Sequence, residues 1–453
     1  MTFNELDIPE GWNVFTVEQL IEEGIIEKPL DGNHGSIHPK SKDYVDDGIP
    51  FVMASDMENG GIDFIGCKKI SLQQAKTLRK GFAKAGDVLL SHKATIGRTA
   101  ILQTNSFEHV LLTPQVTYYR VIDFQKLNPV YLKTYFDSPK FQALFKLWSG
   151  DGSTRAYLGI TAQQKLPIVL PPIDIQNNIS SVIASFNEKI NTNIAMNTTL
   201  EKIAQRLFKS WFVDFDPVKA NEAGVPFDGL SPEIQALFPN ELEESGLGMI
   251  PKGWEVKKLE QIGDIITGKT PSTKNEEYYG NEIPFITIPD MHGKSLVTES
   301  SKYLSKKGEL SQPKKTLPKG SILVSCIATP GLVILAHENC QTNQQINSLL
   351  PYDKFSNFYF LSLKSMSGRS AFSHDGTVFD NMNKTSFSNL KMVIPSFDLL
   401  KNFNDLIEPI FEKVLINQKQ VNTLAKIRDK LLPRLISGKI TIQKAEELLE
   451  EAS

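Results

Sequence analysis

The chain is written twice, and this duplication constrains its fold more than any other feature. IPFVMASDM (49–57) returns as IPFITIPDM (283–291), and GDVLLSHKATIG (86–97) returns as GSILVSCIATPG (320–331), both 234 residues later. Pro-Glu-Gly-Trp at 9–12 returns as Pro-Lys-Gly-Trp at 251–254, an offset of 242. Further along the offset falls to 224. There SGDG (149–152) matches SHDG (373–376), LPIVLPP (166–172) matches LKMVIPS (390–396), and Asp174 matches Asp398. The order is preserved throughout, so the offsets differ only by loop insertions. The 453 residues therefore read as a tandem duplication of two similar halves.

Each half follows the same plan. Short β-branched and aromatic runs, broken by Gly, Pro, Asn and Ser, predict an α+β lobe of strands with a few helices. A helical segment follows, with Asp174 and Asp398 as expected N-caps. Steps of four and three from Ile179 meet Ile183, Phe186, Ile190, Asn193, Asn197, Leu200, Ala204 and Leu207. The walk from Phe403 meets Ile407, Ile410, Val414, Asn417, Val421, Leu424, Arg428 and Leu431. An apolar seam at spacing 3.5 wants a partner helix, and the other copy supplies one. Each seam runs roughly 43 Å at ~1.5 Å per residue. Asn193 and Asn417 occupy equivalent seam positions, and an Asn in such a seam fixes register. Both are expected inside the helix pair.

Residues 213–254 mix Pro, Gly and acidic side chains and read as an extended linker with short turns. The tail KAEELLEEAS reads as a short acidic helix. The apolar stretch 321–336 contains Pro330 and Gly331, and reads as buried strands around a turn, not a membrane span. Cys67, Cys326 and Cys340 are odd in number and lack a CxxC pair, which points to a reducing cytoplasm without structural zinc.

Several motifs invite enzymatic readings. GDIITGKT (263–270) matches GxxxxGK[ST] literally. A phosphate loop needs a buried strand before it and a helix starting at the Lys. Here Ile265 and Ile266 fall inside the would-be loop, and Pro271 follows it, so no nucleotide binding is expected. NPVY (128–131) lacks the second proline of an amino-methyltransferase tetrapeptide and reads as a turn before a helix. His34 and His38 stand four apart, but in a Gly- and Pro-rich segment where that spacing does not align metal ligands. Asp214 and Asp216 read as a turn, and no Ser–His–Asp or Cys–His arrangement is evident. No catalytic residue and no metal ligand is assigned.

What remains is polar chemistry suited to DNA. In the first half it comprises Asn33, His34, Ser36, Lys40 and Lys42, then Ser91, His92, Lys93 and Arg98, then Ser153, Thr154 and Arg155. In the second half it comprises Lys269, Thr270, Ser272, Thr273 and Lys274, then Asn343, Gln344 and Gln345, then His374 and Thr377. Lys, Arg, Ser and Thr suit phosphates, while Arg, Lys, Asn, Gln and Ser suit base edges. The formal net charge of −3 supplies no global attraction to nucleic acid, so any such contact relies on local basic surface or basic partners.

The junction sequences add a resemblance. LFKSWFVDFDPV (207–218), LFPN (237–240) and SGLGMIPKGW (245–254) resemble the central region of type I restriction–modification specificity subunits. LLPRLISGKI (431–440) resembles their C-terminal region, while SGDGSTR and TGKTPS resemble their recognition-domain signatures. The resemblance implies two target-recognition domains separated by a pair of long antiparallel helices, a coiled-coil spacer with pseudo-two-fold symmetry. Domain 1 would span 1–165, the first conserved helix region 166–213, a linker 214–250, domain 2 251–390, and the C-terminal helix region 391–453. Each domain would read one half of a bipartite double-stranded DNA target. Two methyltransferase subunits would bind S-adenosylmethionine, and motor-nuclease subunits would use ATP and Mg2+; this chain would bind no cofactor itself. Phe208, Trp211 and Phe212 are expected to dock the methyltransferase. Cys326–Ile327–Ala328 replaces His92–Lys93–Ala94, so the two domains should not share a target. The rival reading is a two-lobed scaffold that binds protein; it fits the duplication and heptads but not the junction sequences.

Overall fold

The apolar runs that recur in both copies become the same strands in the same order. A computed structural model describes residues 9–58, 60–150, 156–367 and 382–451. The chain forms two compact units, Met1–Asn191 with Asn422–Ser453, and Thr192–Val421.

In the first unit, Val88–Ser91 is buried along its whole length because both of its faces are covered. It pairs antiparallel with Thr99–Ile101 and with Val116–Tyr119, which pairs in turn with Leu30–Asp31. A second sheet sets Ile49–Val52 parallel to Val110–Leu112, with Phe51 opposite Leu111. Asn13–Thr16 closes on Pro167–Leu170. Asn128 caps the helix Pro129–Asp137 by accepting from the Val130 and Tyr131 amides, so NPVY is the predicted turn and helix start.

The second unit repeats this topology. Ile322–Ser325 pairs with Val333–Leu335 and with Ile346–Pro351, which pairs with Gly263–Thr267. Tyr279–Ile286 runs parallel to Gln341–Thr342, and Glu255–Lys258 closes on Lys391–Ile394. The stretch 321–336 is thus two buried strands around a turn, as its composition predicts.

Two helices of 40 residues each, Ile173–Phe212 and Phe397–Ile436, carry the heptads. Each unit contains a part of both. In the second unit Ala204, Phe208 and Trp211 share a core with Phe403, Ile407, Phe411 and Val414. There the helices are antiparallel: Asn193 faces Gln420 while Asn197 faces Asn417. Asn417 is buried as expected, whereas Asn193 is only half-buried. In the first unit Ile179, Ile183 and Phe186 are buried, as are Leu424 and Leu431. Arg428, which the heptad walk places on the seam, donates from Nη1 to Asn187 Oδ1 at 2.7 Å.

Three expectations need correction. Asp174 and Asp398 lie inside the first turn of their helices and are not the caps, though a carboxylate there still favours the positive end of the helix dipole. The linker is not extended. It forms helices Asp216–Glu222 and Pro232–Gln235 and a hairpin of Leu242–Ser245 with Gly248–Pro251. Val218, Phe238 and Ile250 enter the core of the second unit, and this burial fixes the segment. Phe208, Trp211 and Phe212 form no exposed docking patch. They are buried, with Phe212 and Phe403 edge-to-face at 4.7 Å and Trp211 and Phe238 edge-to-face at 5.4 Å. The seam had more apolar side chains to cover than the partner helix alone could take, so the lobe and the inter-lobe segment cover the rest.

Candidate nucleic-acid interface

Strand direction gathers the candidate loops. In the first lobe the strands Leu30–Asp31 and Val88–Ser91 end, and Thr99–Ile101 and Val116–Tyr119 begin, at one end of one antiparallel sheet. The loops 32–42 and 92–98 leave from that end. In the second lobe Gly263–Thr267 and Ile322–Ser325 end there, and Val333–Leu335 and Ile346–Pro351 begin there. The loops 268–275, 326–332 and 343–345 leave from the matching end. Segments far apart in sequence are thus placed together in each lobe.

At the base of the first of these loops in each lobe the backbone leaves no room for a side chain at one point. A Cβ on Gly32 would lie 1.9 Å from the Leu112 carbonyl oxygen, and one on Gly268 would lie 2.1 Å from that of Asn343. Both neighbours are backbone and cannot swing aside.

Loops 91–98 and 325–332 are built alike. Ser91 Oγ accepts from the Arg98 amide at 2.8 Å, and Ser325 Oγ accepts from the Leu332 amide at 2.9 Å. The Gly97 amide donates to Ser91 O at 2.8 Å, and the Gly331 amide to Ser325 O at 2.9 Å. Ala94 and Ala328 occupy equivalent positions and both have left-handed backbones, φ 64° and 66°. A left-handed alanine is strained and persists only where its surroundings dictate it.

The predicted residues fall into two groups. Asn33, Ser91 and His92 are interior. Asn33 donates to Lys80 O at 2.6 Å and accepts from the Arg79 amide at 3.0 Å, so it shapes the loop base and offers nothing to a ligand. His34, Ser36, Lys40, Lys42, Lys93 and Arg98 are exposed. Arg98 holds the carbonyls of Ala54 at 3.1 Å and Ser55 at 3.3 Å through one nitrogen. In the second lobe Lys269, Thr270, Ser272, Thr273, Lys274 and Gln344 are exposed, and Asn343 and Gln345 half-buried. Thr270 donates to Gln344 Oε1 at 2.8 Å, joining two of the predicted clusters. Ser153, Thr154, Arg155, His374 and Thr377 lie outside the described residues. The literal phosphate-loop match is a strand, Gly263–Thr267, and no helix begins at Lys269.

The bases of the two sites differ in charge. In the first lobe Asp31 is buried and contacts Lys80, His34 Nε2 at 2.6 Å and, more distantly, His92 Nε2 at 3.9 Å. Burial pushes the Asp31 carboxyl up, but the hydrogen bonds and charges of Lys80 and His34 outweigh it and hold it below the usual carboxylate range. Burial pushes His92 down to about 4, against the pull of Asp31 and the Leu158 carbonyl, so its ring is neutral near pH 7. In the second lobe the matching places hold neutral groups. Thr267 donates to Asn347 Oδ1 at 2.6 Å, and Asn347 Nδ2 reaches Cys326 Sγ at 3.3 Å.

Sequence reading missed four basic residues and the exposed Tyr157, and it named Ile327 only as a difference between the two copies. Arg79 and Lys80 adjoin loop 32–42 in the first lobe, and Lys315 Nζ donates to Thr267 O at 2.8 Å beside Lys314 in the second. The signal was a basic doublet in each copy, one residue out of step with the offset of 234 on either side. Tyr157 stands beside Lys93, whose Nζ lies 5.9 Å from its ring centre. Ile327 is 43% exposed at the tip of its loop. Among the described residues no group of three His, Cys, Asp or Glu could hold a metal ion, and no helix is long and apolar enough to cross a membrane.

Comparison with known proteins places this arrangement. The family described as the type I restriction modification DNA specificity domain matches residues 9–202 and again 251–425, one match for each copy. The HindI type I restriction enzyme specificity subunit of Haemophilus influenzae is 34% identical over 438 residues, spanning 86% of this chain and 94% of that protein. The MjaIX specificity subunit of Methanocaldococcus jannaschii is 28% identical, spanning 97% of both chains. The crystal structure of a type I restriction–modification S subunit from M. genitalium shares the fold, with TM-score 0.55 at 13% identity over 96% of this chain and 98% of that one. This twice-matched chain therefore belongs to the specificity subunits of type I restriction enzymes, the non-catalytic subunits of those complexes.

Proposed function

We propose that each lobe reads one half of a bipartite double-stranded DNA target through the loops at the end of its four-stranded sheet. One observation carries this reading. The two lobes share the scaffold and the strained loop yet differ in the side chains those loops display, with Lys93 in one and Ile327 in the other. A shared frame with different displayed groups fits two readers of different half-sites. The basic doublets beside the loops add to exposed Lys40, Lys42, Lys269 and Lys274 the local positive surface that a net charge of −3 does not supply globally.

The chemistry belongs to partners in the cytoplasm. Two methyltransferase subunits bind S-adenosylmethionine and turn the target adenine out of the stack. Motor-nuclease subunits use ATP and Mg2+ to cut. Since Phe208, Trp211 and Phe212 are interior, the methyltransferase meets other residues, and exposed Ile194, Met196, Ile203, Leu406 and Ile416 on the long helices are the apolar groups available to it.

The test is co-expression with the methyltransferase subunit in a host lacking adenine methylation, followed by genome-wide mapping of methylated adenine. A split motif with two unlike halves, absent without this chain, is the expected result. Methylation at one continuous site would leave a single reading lobe, and none at all with a soluble complex would favour the protein-binding scaffold.

A further inference from the structure

The matched loops hold one position in common and fill it with opposite chemistry. Residue 93 is a lysine and residue 327 an isoleucine, each directly before the left-handed alanine. The hydrogen bonds that close the two loops agree within 0.1 Å. The position is exposed in both, so the isoleucine is not there to fill a core. A β-branched side chain has few rotamers, and here it sits on a backbone fixed on both sides by hydrogen bonds. The result is a preorganised apolar knob beside the polar Thr270–Gln344 pair of the same sheet end: the Cys326 amide donates to Gln345 O at 3.0 Å, which seats the knob against that turn.

Among the four bases, only thymine shows a methyl group in the major groove. An apolar knob beside polar side chains discriminates for that methyl, whereas a lysine at the same place discriminates for acceptors. We infer that Ile327 reads a thymine C5-methyl in the half-site of the second lobe. Lys93 at the matching place answers to a guanine edge instead. This rests on the reading of the lobes as DNA readers.

The experiment uses the complex of this chain with its methyltransferase subunits, after the motif has been mapped. Binding is measured to duplexes in which each thymine of the motif, on either strand, is replaced in turn by deoxyuridine, which lacks only the methyl. The wild-type complex should lose about fourfold in affinity at one thymine of one half-site, the worth of a methyl-sized apolar contact. Ile327→Ala should bind the thymine and deoxyuridine duplexes equally at that position, while Lys93→Ala should keep the difference. No methyl dependence at any thymine in the wild-type complex would overturn the inference, whatever the variants do, as would a dependence unchanged in Ile327→Ala. A motif that is not split would instead refute the reading of two DNA-reading lobes.

Discussion

Asn417 donates from Nδ2 to Asn197 Oδ1 at 2.9 Å within the buried seam of the two long helices. Asn197 passes its own amide on to the Val414 carbonyl at 3.1 Å. The pairing is not the one the duplication implies. Asn417 corresponds to Asn193, but Asn197 corresponds to Val421, so the Asn–Asn pair has no counterpart, and Asn193 donates to Gln420 Oε1 at 3.4 Å instead. A contact of this kind rejects shifted registers, in which an amide would face only apolar neighbours.

Asn417→Leu alone strands the Asn197 oxygen in the seam and should cost about 1–3 kcal/mol, the penalty for an unpaired buried polar group. Asn197→Leu combined with Asn417→Leu should recover most of that loss. Urea unfolding of the two variants checks it, and a double variant weaker than the single would count against the account.

Trp211→Ala and Phe212→Ala should each cost about 3–5 kcal/mol, as emptied core sites do. Both residues pack on Phe403, at 5.4 and 4.7 Å between ring centres. The loss should appear as a lowered unfolding midpoint of the chain alone. A variant with unchanged stability and weakened methyltransferase binding would restore these residues to a docking role.

Gly32→Ala and Gly268→Ala should each disturb one lobe. The new Cβ would fall 1.9 or 2.1 Å from a backbone carbonyl, so the base of the loop must open. Overpacking of this kind costs about 1–3 kcal/mol. The more specific readout is the methylation motif: each variant should relax one half-site and leave the other intact.

Acid should weaken the first lobe through His92. Burial sets its folded pKa at about 4, while an unfolded histidine titrates near 6.5. Between these values the unfolded chain takes up a proton that the folded chain refuses, so stability falls as pH falls from about 6.5 towards 4. The full effect is about 3 kcal/mol. Asp31, held below its usual range, adds a loss only below about pH 4. Denaturation midpoints between pH 7 and 4.5 should drop less steeply in His92→Gln. Equal slopes would show that His92 carries none of the dependence.

Much of this architecture is legible in the chain because it depends on periodicity and repetition. The heptads give both helices, and the recurring VLLS and ILVS runs give the central strand of each lobe. The loop clusters were identified from residue type, and the sheet then set them at one end. What could not be read is which polar residues the fold would enclose. Ser91 and His92 adjoin exposed Lys93, and only the closing bonds to Arg98 and Leu158 separate them. The linker reads as extended in sequence because its burial comes from residues outside it, as when Phe238 packs on Trp211. The aromatic side chains of 208–212 looked like docking groups for the same reason.

The first compact unit is assembled from two stretches far apart in sequence, whereas the second is one unbroken stretch. During synthesis the first lobe leaves the ribosome early, with the apolar seam of Ile179, Ile183 and Phe186 still uncovered. The residues that finish its body, 422–453, are made only after all of residues 192–421. Translation order therefore runs against spatial order: the lobe encoded second has all its own residues first, and a ribosome stopping before residue 422 releases a chain whose earliest-made lobe is the one left unfinished.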